Sequence, residues 1–338
     1  MPLLRFDPTT HDWVVFAPER ARRPQDRIAA AHEGAESGAG PCPFCPGNEH
    51  LAGSEIYALR GSTAPNTTGW SVRVIPNKFP VLRIEEDHRR IDEGQLLRYM
   101  GGCGAHEVII ESPAHDVSLA QQPVMHIEFV LRTLQLRFQD LLRDHRFQAV
   151  VIFKNHGEGA GSTLRHPHWQ LIATPVVPRT LRLKHAVATD YYDRTGACLY
   201  CVLLQEELAM NQRVVAENDQ YAAIVPYASH VPFETWILPK VHQSSFARAE
   251  AAHLRPLAEI LKTVLHKLSD GLNNPDFNLT INTAPRGDEE KSYFLWHIEI
   301  LPRLSRLAGF ELGSGMSINT VMPEEAARFL HSVDGPAS

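Results

Sequence analysis

The segment NHGEGAGSTLRHPHWQL, residues 155–171, concentrates the residue types that do chemistry. A glycine-rich turn runs directly into strand-like sequence carrying His166, His168 and Gln170 at a spacing of two. Successive side chains of a strand point to opposite faces, so these three share one face and Pro167, Trp169 and Leu171 the other. Gly157, Gly159 and Gly161 let backbone amides approach a ligand closely, and Ser162 and Thr163 add hydroxyls. Successive free amides in such a turn make an anion cradle. An imidazole beside a phosphate cradle points to nucleophilic or acid–base chemistry at phosphorus. The competing reading is a glycine-rich hairpin feeding a core strand, where three polar groups on one face would be costly to bury.

A second chemistry lies in the cysteines. Four of the five form two C-x-x-C pairs, Cys42/Cys45 and Cys198/Cys201. A C-x-x-C turn lets two thiolates chelate one ion, and two distant histidines complete a closed site of structural zinc type, with two cysteines and two histidines. Pro41, Pro43, Pro46 and Gly47 stiffen and turn the backbone around the first pair. Two rivals stand beside this. A thioredoxin-like redox pair lacks its expected βαβ context, and a single four-cysteine site would join the pairs across 156 residues. Taken singly, His115 reads as a turn residue after Ser-Pro and His242 as an exposed loop residue; Cys103 reads as a small buried thiol.

The elements that must position these residues occur twice. Strand-like runs at 72–75, 107–110 and 149–153 accompany a helix with Ile127, Leu131, Leu134, Phe138, Leu141 and Leu142 on one face. The second half repeats the order. Strands at 221–225 and 234–238 precede a helix with Leu254, Leu257, Leu261, Val264, Leu265 and Leu268 on one face, and strands at 277–281 and 294–301 follow it. Cys42, Cys45, His115 and His166 are matched by Cys198, Cys201, His242 and His297 at offsets of 156, 156, 127 and 131 residues. EVIIESPAHDVSL (107–119) and ETWILPKVHQSSF (234–246) also align around their histidines. The pattern predicts an α+β fold of two tandem copies, 1–178 and 179–338, with mostly antiparallel sheets and few helices. It also predicts two metal sites, Cys42, Cys45, His115 and His166 in the first half and Cys198, Cys201, His242 and His297 in the second. Residues 24–41 and 61–69 read as loops, the first of them mobile.

Composition bounds the function. The 338 residues are 43% hydrophobic and 21% charged, enough for two domains at ~150 residues each and too apolar for a disordered chain. No apolar run approaches the ~18 residues of a membrane helix, and the N-terminus does not read as a signal peptide. A net charge of −6 offers no basic excess for nucleic acid. Sparse cysteine without a secretion signal fits a reducing cytoplasm, where the sequon at Asn66 is meaningless.

H-P-H-x-Q after a glycine-rich turn resembles the histidine-triad superfamily. With CPFCPGNE, SPAHD and the ending WHIEILPRL…AGFELGSG, the chain resembles its galactose-1-phosphate uridylyltransferase branch, which includes plant-type ADP-glucose phosphorylase. The resemblance spans nearly the whole chain and implies two histidine-triad-like halves. It implies that His168 is the nucleophile, that Gln170 hydrogen-bonds the transferred phosphoryl group, and that His166 joins Cys42, Cys45 and His115 on zinc. Arg20 and Arg23 (ERARRP) would contact phosphate, and Asn77 and Asn155 nucleotide or phosphate. Gly161 with Ser162 or Thr163 would hold phosphate; relatives carry Ser where Thr163 stands. Glu311 matches a sugar-contacting glutamate, and Phe310 stands where relatives often carry Tyr. In WHIE, Glu299 is read as standing where His168 stands, so the second half would keep a metal ligand, His297, and lack the nucleophile. Enterobacterial relatives carry an iron site in that half; Thr283 and Glu299 replace two of its histidines, so a second zinc on Cys198, Cys201, His242 and His297 is expected instead. The implied activity is galactose metabolism by a cytoplasmic homodimer: UDP-glucose–hexose-1-phosphate uridylyl transfer, ping-pong through nucleotidyl-His168. The alternatives are an ADP-glucose phosphorylase or adenylyltransferase, a zinc-stabilised nucleotide-binding protein without turnover, and a smaller histidine-triad-type hydrolase, which chain length disfavours.

Overall fold

The computed structural model describes residues 1–22 and 40–336. The first half contributes strands β1 (Leu3–Phe6), β2 (Trp13–Phe16), β3 (Tyr57–Arg60), β4 (Trp70–Pro76), β5 (Ile91–Glu93), β6 (Leu97–Tyr99) and β7 (Ala105–Ile110). Helix α1 (Val124–Leu141) and strands β8 (Ala149–His156) and β9 (His168–Thr174) complete it. Helices α2 (Arg179–Thr195) and α3 (Leu199–Met210) lead into β10 (Val214–Glu217), β11 (Tyr221–Ile224) and β12 (Thr235–Pro239). After them come α4 (Ala251–Gly271), β13 (Phe277–Asn282), β14 (His297–Pro302), α5 (Gly309–Ser314), β15 (Ile318–Asn319) and α6 (Pro323–Ser332).

Ten strands form one sheet in the order β10-β11-β12-β14-β13-β8-β9-β7-β4-β3. All its pairings are antiparallel. Read outward from the central β8–β13 pair, the order is the same on both sides, so β9 answers β14, β7 answers β12 and β4 answers β11. The repeat is therefore built into a single sheet. The β8–β13 ladder, Asn155 opposite Asn278 and Ile152 opposite Ile281, fuses the halves.

Alternation along the strands decides what each face does. Trp169, Leu171 and Ala173 of β9 and Ile298 and Ile300 of β14 enter one core with the apolar stripes of α1 and α4. Each fully buried Leu or Ile contributes ~1.5–3 kcal/mol, so this layer holds the sheet in shape. The opposite face carries the polar residues of the central strands and is covered differently in each half. Over the first half lies the loop bearing Phe44, packed with Trp70, Ile75, Val108 and Ile110. Over the second half lie α2 and α3, whose Val187, Ala188, Tyr200 and Leu204 pack on Ala222, Ile224, Trp236 and Leu238.

Three points of the sequence reading are corrected here. Helices α2 and α3 have no counterpart in the sequence reading, and the strand expected from residue 294 begins at His297. The register of the repeat also differs by two residues on this strand. Gln170 lies opposite Val108 of β7 and Phe153 of β8. Glu299 lies opposite Trp236 of β12 and Thr280 of β13. Glu299 thus stands where Gln170 stands, His297 where His168 stands, and Leu295 where His166 stands.

Candidate active site and metal centres

The loop that covers the first half is locked before any metal is considered. Asn48 donates its side-chain amide to the Cys42 carbonyl at 2.9 Å. Buried Glu49 accepts from the Gly47 N–H and from the Trp70 indole, both at 2.9 Å. Gly47 has φ +92°, a conformation that favours glycine. This turn delivers Cys42 and Cys45 to His115 and His166, and the four ligand atoms lie within 4.8 Å of one another. Cys45 Sγ is 3.2 Å from His115 Nδ1 and 3.6 Å from His166 Nδ1, and Cys42 Sγ is 3.8 Å from His166 Nδ1. His166 turns its other nitrogen to the Ser112 carbonyl at 2.8 Å, the outer hydrogen bond that orients a metal-ligating imidazole. Burial and the neighbouring Cys42 push the Cys45 thiol up to about 11, so two thiolates share this spot only with a cation between them. The donor set fits a metal ion.

Immediately beyond His166, the strand presents His168. Its Nδ1–H donates to the His166 carbonyl at 2.9 Å, which leaves the lone pair on Nε2. Burial above all, with the charge of Lys154, lowers its pKa to about 4, so the ring is neutral at pH 7. Phe44 meets it edge-on at 5.4 Å, and the buried Lys154–Glu111 ion pair lies beneath, 2.5 Å apart. Lys154 also donates to the His168 carbonyl at 3.5 Å.

Gln170, two residues on, is held by a residue that sequence reasoning missed. The Val81 N–H donates to His106 Nδ1 at 3.4 Å, so His106 carries its proton on Nε2 and donates it to Gln170 Oε1 at 2.8 Å. The Gln170 amide N–H2 is thereby turned outward beside His168. His106 is a polar residue inside strand β7, which was the available signal; its partner is 64 residues away in sequence. Asn77 reaches the same cluster, 3.1 Å from His106 Nε2.

The glycine turn is clamped from the second half. Asp276 accepts from the Gly159 N–H at 2.6 Å, and Asn278 donates to both Asn155 Oδ1 and the Ala160 carbonyl at 2.9 Å. Gly157 has φ +83°, and a Cβ there would sit 1.7 Å from Asp276 Oδ1. Gly161, at φ +85°, closes the turn beside the Asn155 side chain. Ser162 donates to the Leu164 carbonyl at 2.8 Å, whereas Thr163 is exposed. Arg20 is half-buried on the 3-10 turn Pro18–Arg22, and Arg23 lies outside the described residues. Phe310 is half-exposed on α5, and Glu311 accepts from the Ala308 N–H at 3.1 Å, capping that helix. Among the described residues, no hydrogen bond joins Phe310 or Glu311 to the His168 cluster.

In the second half, Cys198, Cys201 and His242 form a metal-capable group of three. Cys201 Sγ is 3.4 Å from His242 Nδ1, and His242 Nε2–H donates to the Lys291 carbonyl at 3.3 Å. The expectation that His297 completes this site is overturned. His297 gives Nδ1–H to the Leu295 carbonyl at 3.0 Å, repeating the geometry of His168, and its Nε2 lies 3.3 Å from Glu299. Glu299 is ion-paired with Lys184 of α2. Burial would raise the Glu299 carboxyl, but Lys184 and His297 hold it well below the usual carboxylate range.

Known proteins resemble the chain over nearly its whole length. Residues 1–178 match the profile of the galactose-1-phosphate uridyl transferase N-terminal domain, and residues 184–334 that of its C-terminal domain. The chain is 34% identical over 335 residues to ADP-glucose phosphorylase of Arabidopsis thaliana, covering 98% of this chain and 93% of that one. It is 28% identical over 340 residues to galactose-1-phosphate uridylyltransferase of Thermotoga maritima, covering 98% of each. The crystal structure of the Arabidopsis thaliana ADP-glucose phosphorylase with bound ADP-glucose superposes with a TM-score of 0.84 at 32% identity, over 99% of this chain and 100% of that one. A uridylyltransferase structure does so at 0.75 and 27%, over 98% of each. Two profiles that together span nearly every residue, the first of them containing the glycine turn and H-P-H-x-Q, place the chain in the galactose-1-phosphate uridylyltransferase family.

Proposed function

We propose that the protein is a sugar-1-phosphate nucleotidyltransferase working through His168, and that it moves UMP between UDP-glucose and a hexose 1-phosphate such as galactose 1-phosphate. One observation carries this reading: a neutral His168 whose Nδ1–H is spent on the His166 carbonyl, with Nε2 free beside the Gln170 amide. Nε2 attacks the α-phosphorus of the nucleotide sugar. The bond from that phosphorus to the bridging oxygen breaks, and sugar 1-phosphate leaves with the electron pair. An oxygen of the second sugar 1-phosphate then attacks the nucleotidyl-histidine and returns Nε2 its lone pair. One difficult transfer becomes two easier ones, with ping-pong kinetics. Gln170, the turn amides around Gly161, Asn155 and Arg20 with Arg23 stabilise charge on the non-bridging oxygens. Asn77 serves the nucleotide, Ser162 or Thr163 the phosphate, and Phe310 with Glu311 the sugar.

Zinc is the ion we assign to Cys42, Cys45, His115 and His166. Tetrahedral zinc with thiolate and imidazole ligands sets S···N separations of ~3.6 Å, close to those found. Its role is to hold the Phe44 loop over β9, since four protein ligands leave no position for substrate. The second group, Cys198, Cys201 and His242, takes a second zinc. The low cysteine content supports a cytoplasmic setting, and we take the working unit to be a homodimer.

A second reading, phosphorolysis or transfer with an adenylyl sugar, is favoured by the 34% identity to an ADP-glucose phosphorylase. Intact mass after incubation with UDP-glucose or ADP-glucose decides between the two. A UMP-sized adduct discharged by galactose 1-phosphate supports uridylyl transfer. An AMP-sized adduct discharged by phosphate moves the assignment to the second reading. The absence of an adduct with either sugar nucleotide would sink both.

A further inference from the structure

The two metal-capable groups differ by one ligand, and the difference is legible in the sheet. His166 lies two residues before His168 and contributes Nδ1 to the first group. Leu295 lies two residues before His297, at the corresponding place in the second half, and has no donor to offer. It is fully buried in one apolar cluster with Cys198, Leu199, Tyr200 and Phe294, against which Cys201 packs. The second group therefore has an apolar wall where the first has an imidazole. Its three donors are nevertheless organised: Cys198 donates toward the Tyr293 carbonyl at 3.5 Å, and His242 Nε2–H is fixed on Lys291. Cys201 is half-buried and His242 exposed, so the group opens to solvent.

We infer that this second centre binds zinc through three protein ligands only, Cys198, Cys201 and His242. Its fourth position is filled from solvent, by a water that a small thiolate can displace. Two thiolates and a neutral imidazole balance the charge of a divalent ion, so nothing further is needed for neutrality. Three protein ligands with an exchangeable fourth is the arrangement of zinc centres that take exogenous ligands, and a closed set of four is that of structural ones. The first centre should hold zinc inertly while the second exchanges it.

The inference rests on reading the C-x-x-C pairs as zinc ligands, and metal analysis separates the two claims. Purified full-length protein should contain two zinc ions per chain. No zinc at all would defeat the ligand reading itself, whereas one per chain would defeat only the second centre. Competition with a chromogenic chelator should release one equivalent at least about tenfold faster than the other, because loss of even an outer-shell partner costs ~10–100-fold in metal affinity. A single slow phase for both ions overturns the inference. Leu295→His should close the second centre and slow the fast phase toward the slow one. Should that buried substitution prevent folding, Cys201→Ser tests the same point, removing the fast phase while leaving the slow one intact. In cobalt-substituted protein, added 2-mercaptoethanol should shift the visible bands of the second centre; bands that do not respond overturn the open position.

Discussion

Strands β9 and β14 occupy the same place in their halves and begin with the same residue, yet only one of the two leaves its histidine's second nitrogen unengaged. Both opening histidines, His168 and His297, give Nδ1–H to the carbonyl two residues back. What differs is what faces Nε2. At His168 the next same-face residue is a neutral glutamine, kept clear by His106. At His297 it is Glu299, pinned by Lys184 from a helix that covers the face. Tyr200 and Trp236 also stack on the His297 ring, at 4.9 and 5.1 Å. The same backbone device thus leaves an imidazole with Nε2 unengaged where a loop covers the sheet and a closed ion-paired core where helices do. A histidine's strand position fixes its tautomer, and the neighbouring elements decide whether its other nitrogen is available.

The largest effect should come from breaking this asymmetry at the proposed nucleophile. His168→Gly is expected to abolish covalent labelling by the sugar nucleotide, a loss beyond ~10⁴-fold, because the covalent route disappears. His297→Gln should leave labelling within about threefold of wild type in protein of native circular dichroism, as no reacting atom is touched. Equal losses in both variants would erase the distinction drawn between the strands.

Next in size is the plug itself. Lys184→Met leaves the largely buried Glu299 carboxylate without its cation, and breaking a buried pair in this way costs up to ~3–5 kcal/mol. Chemical denaturation should show that loss, and Lys184→Met combined with Glu299→Gln should recover most of it. Substituting Lys184 alone with no change in stability would mean the pair does not hold α2 to the sheet.

The glycine turn offers a smaller contrast. Gly157→Ala places a Cβ on Asp276 at a φ of +83°, so the clamp that aligns the turn amides must yield. About 1–3 kcal/mol of strain is expected, and a fall of roughly tenfold or more in kcat for transfer. Gly196→Ala, at the end of α2 with φ +70° and nothing within 4 Å, carries a backbone cost without a collision. It should lower the melting temperature by a few degrees at most, with kcat unchanged.

The sequence revealed some of this and hid the rest for definite reasons. His166, His168 and Gln170 share a face because strand alternation is local, and the first metal group follows from ligand chemistry. The stripes of α1 and α4 are periodic because one side of each is wholly apolar. Helix α2 escaped notice because its covered side includes Lys184 and His185, both buried, which break the apolar stripe. The register of β14 escaped because it was anchored on the nearest histidine. The ladder partners Trp236 and Thr280, together with the shared Nδ1 hydrogen bond, show that His297 answers His168 and that Leu295 answers His166.

The smallest expected effect concerns how the chain's first residues take sides. Strands β1 and β2 precede the first metal ligand in sequence, yet β2 pairs in parallel with β15 and Arg5 bonds to Glu324, both in the second half. His230 adds a titratable tie, with Nε2 3.2 Å from Asp7 and Nδ1 3.1 Å from Ser317 Oγ. Burial alone would lower its pKa, but the Asp7 hydrogen bond and the charges of Glu234, Asp7 and Glu299 outweigh that and raise it to about 9. A raised histidine pKa stabilises fully below its ordinary value of ~6.5, and that contribution is lost as pH climbs through about 9. Hydrogen exchange, corrected for its intrinsic pH dependence, should show residues 3–16 losing protection between pH 7 and pH 10 while β9 peptides hold theirs. In His230→Gln the same residues should be less protected at pH 7 and insensitive to the change. If the variant loosens with pH as the wild type does, the tie lies elsewhere: the Arg5–Glu324 ion pair would then carry the docking of the N-terminal hairpin.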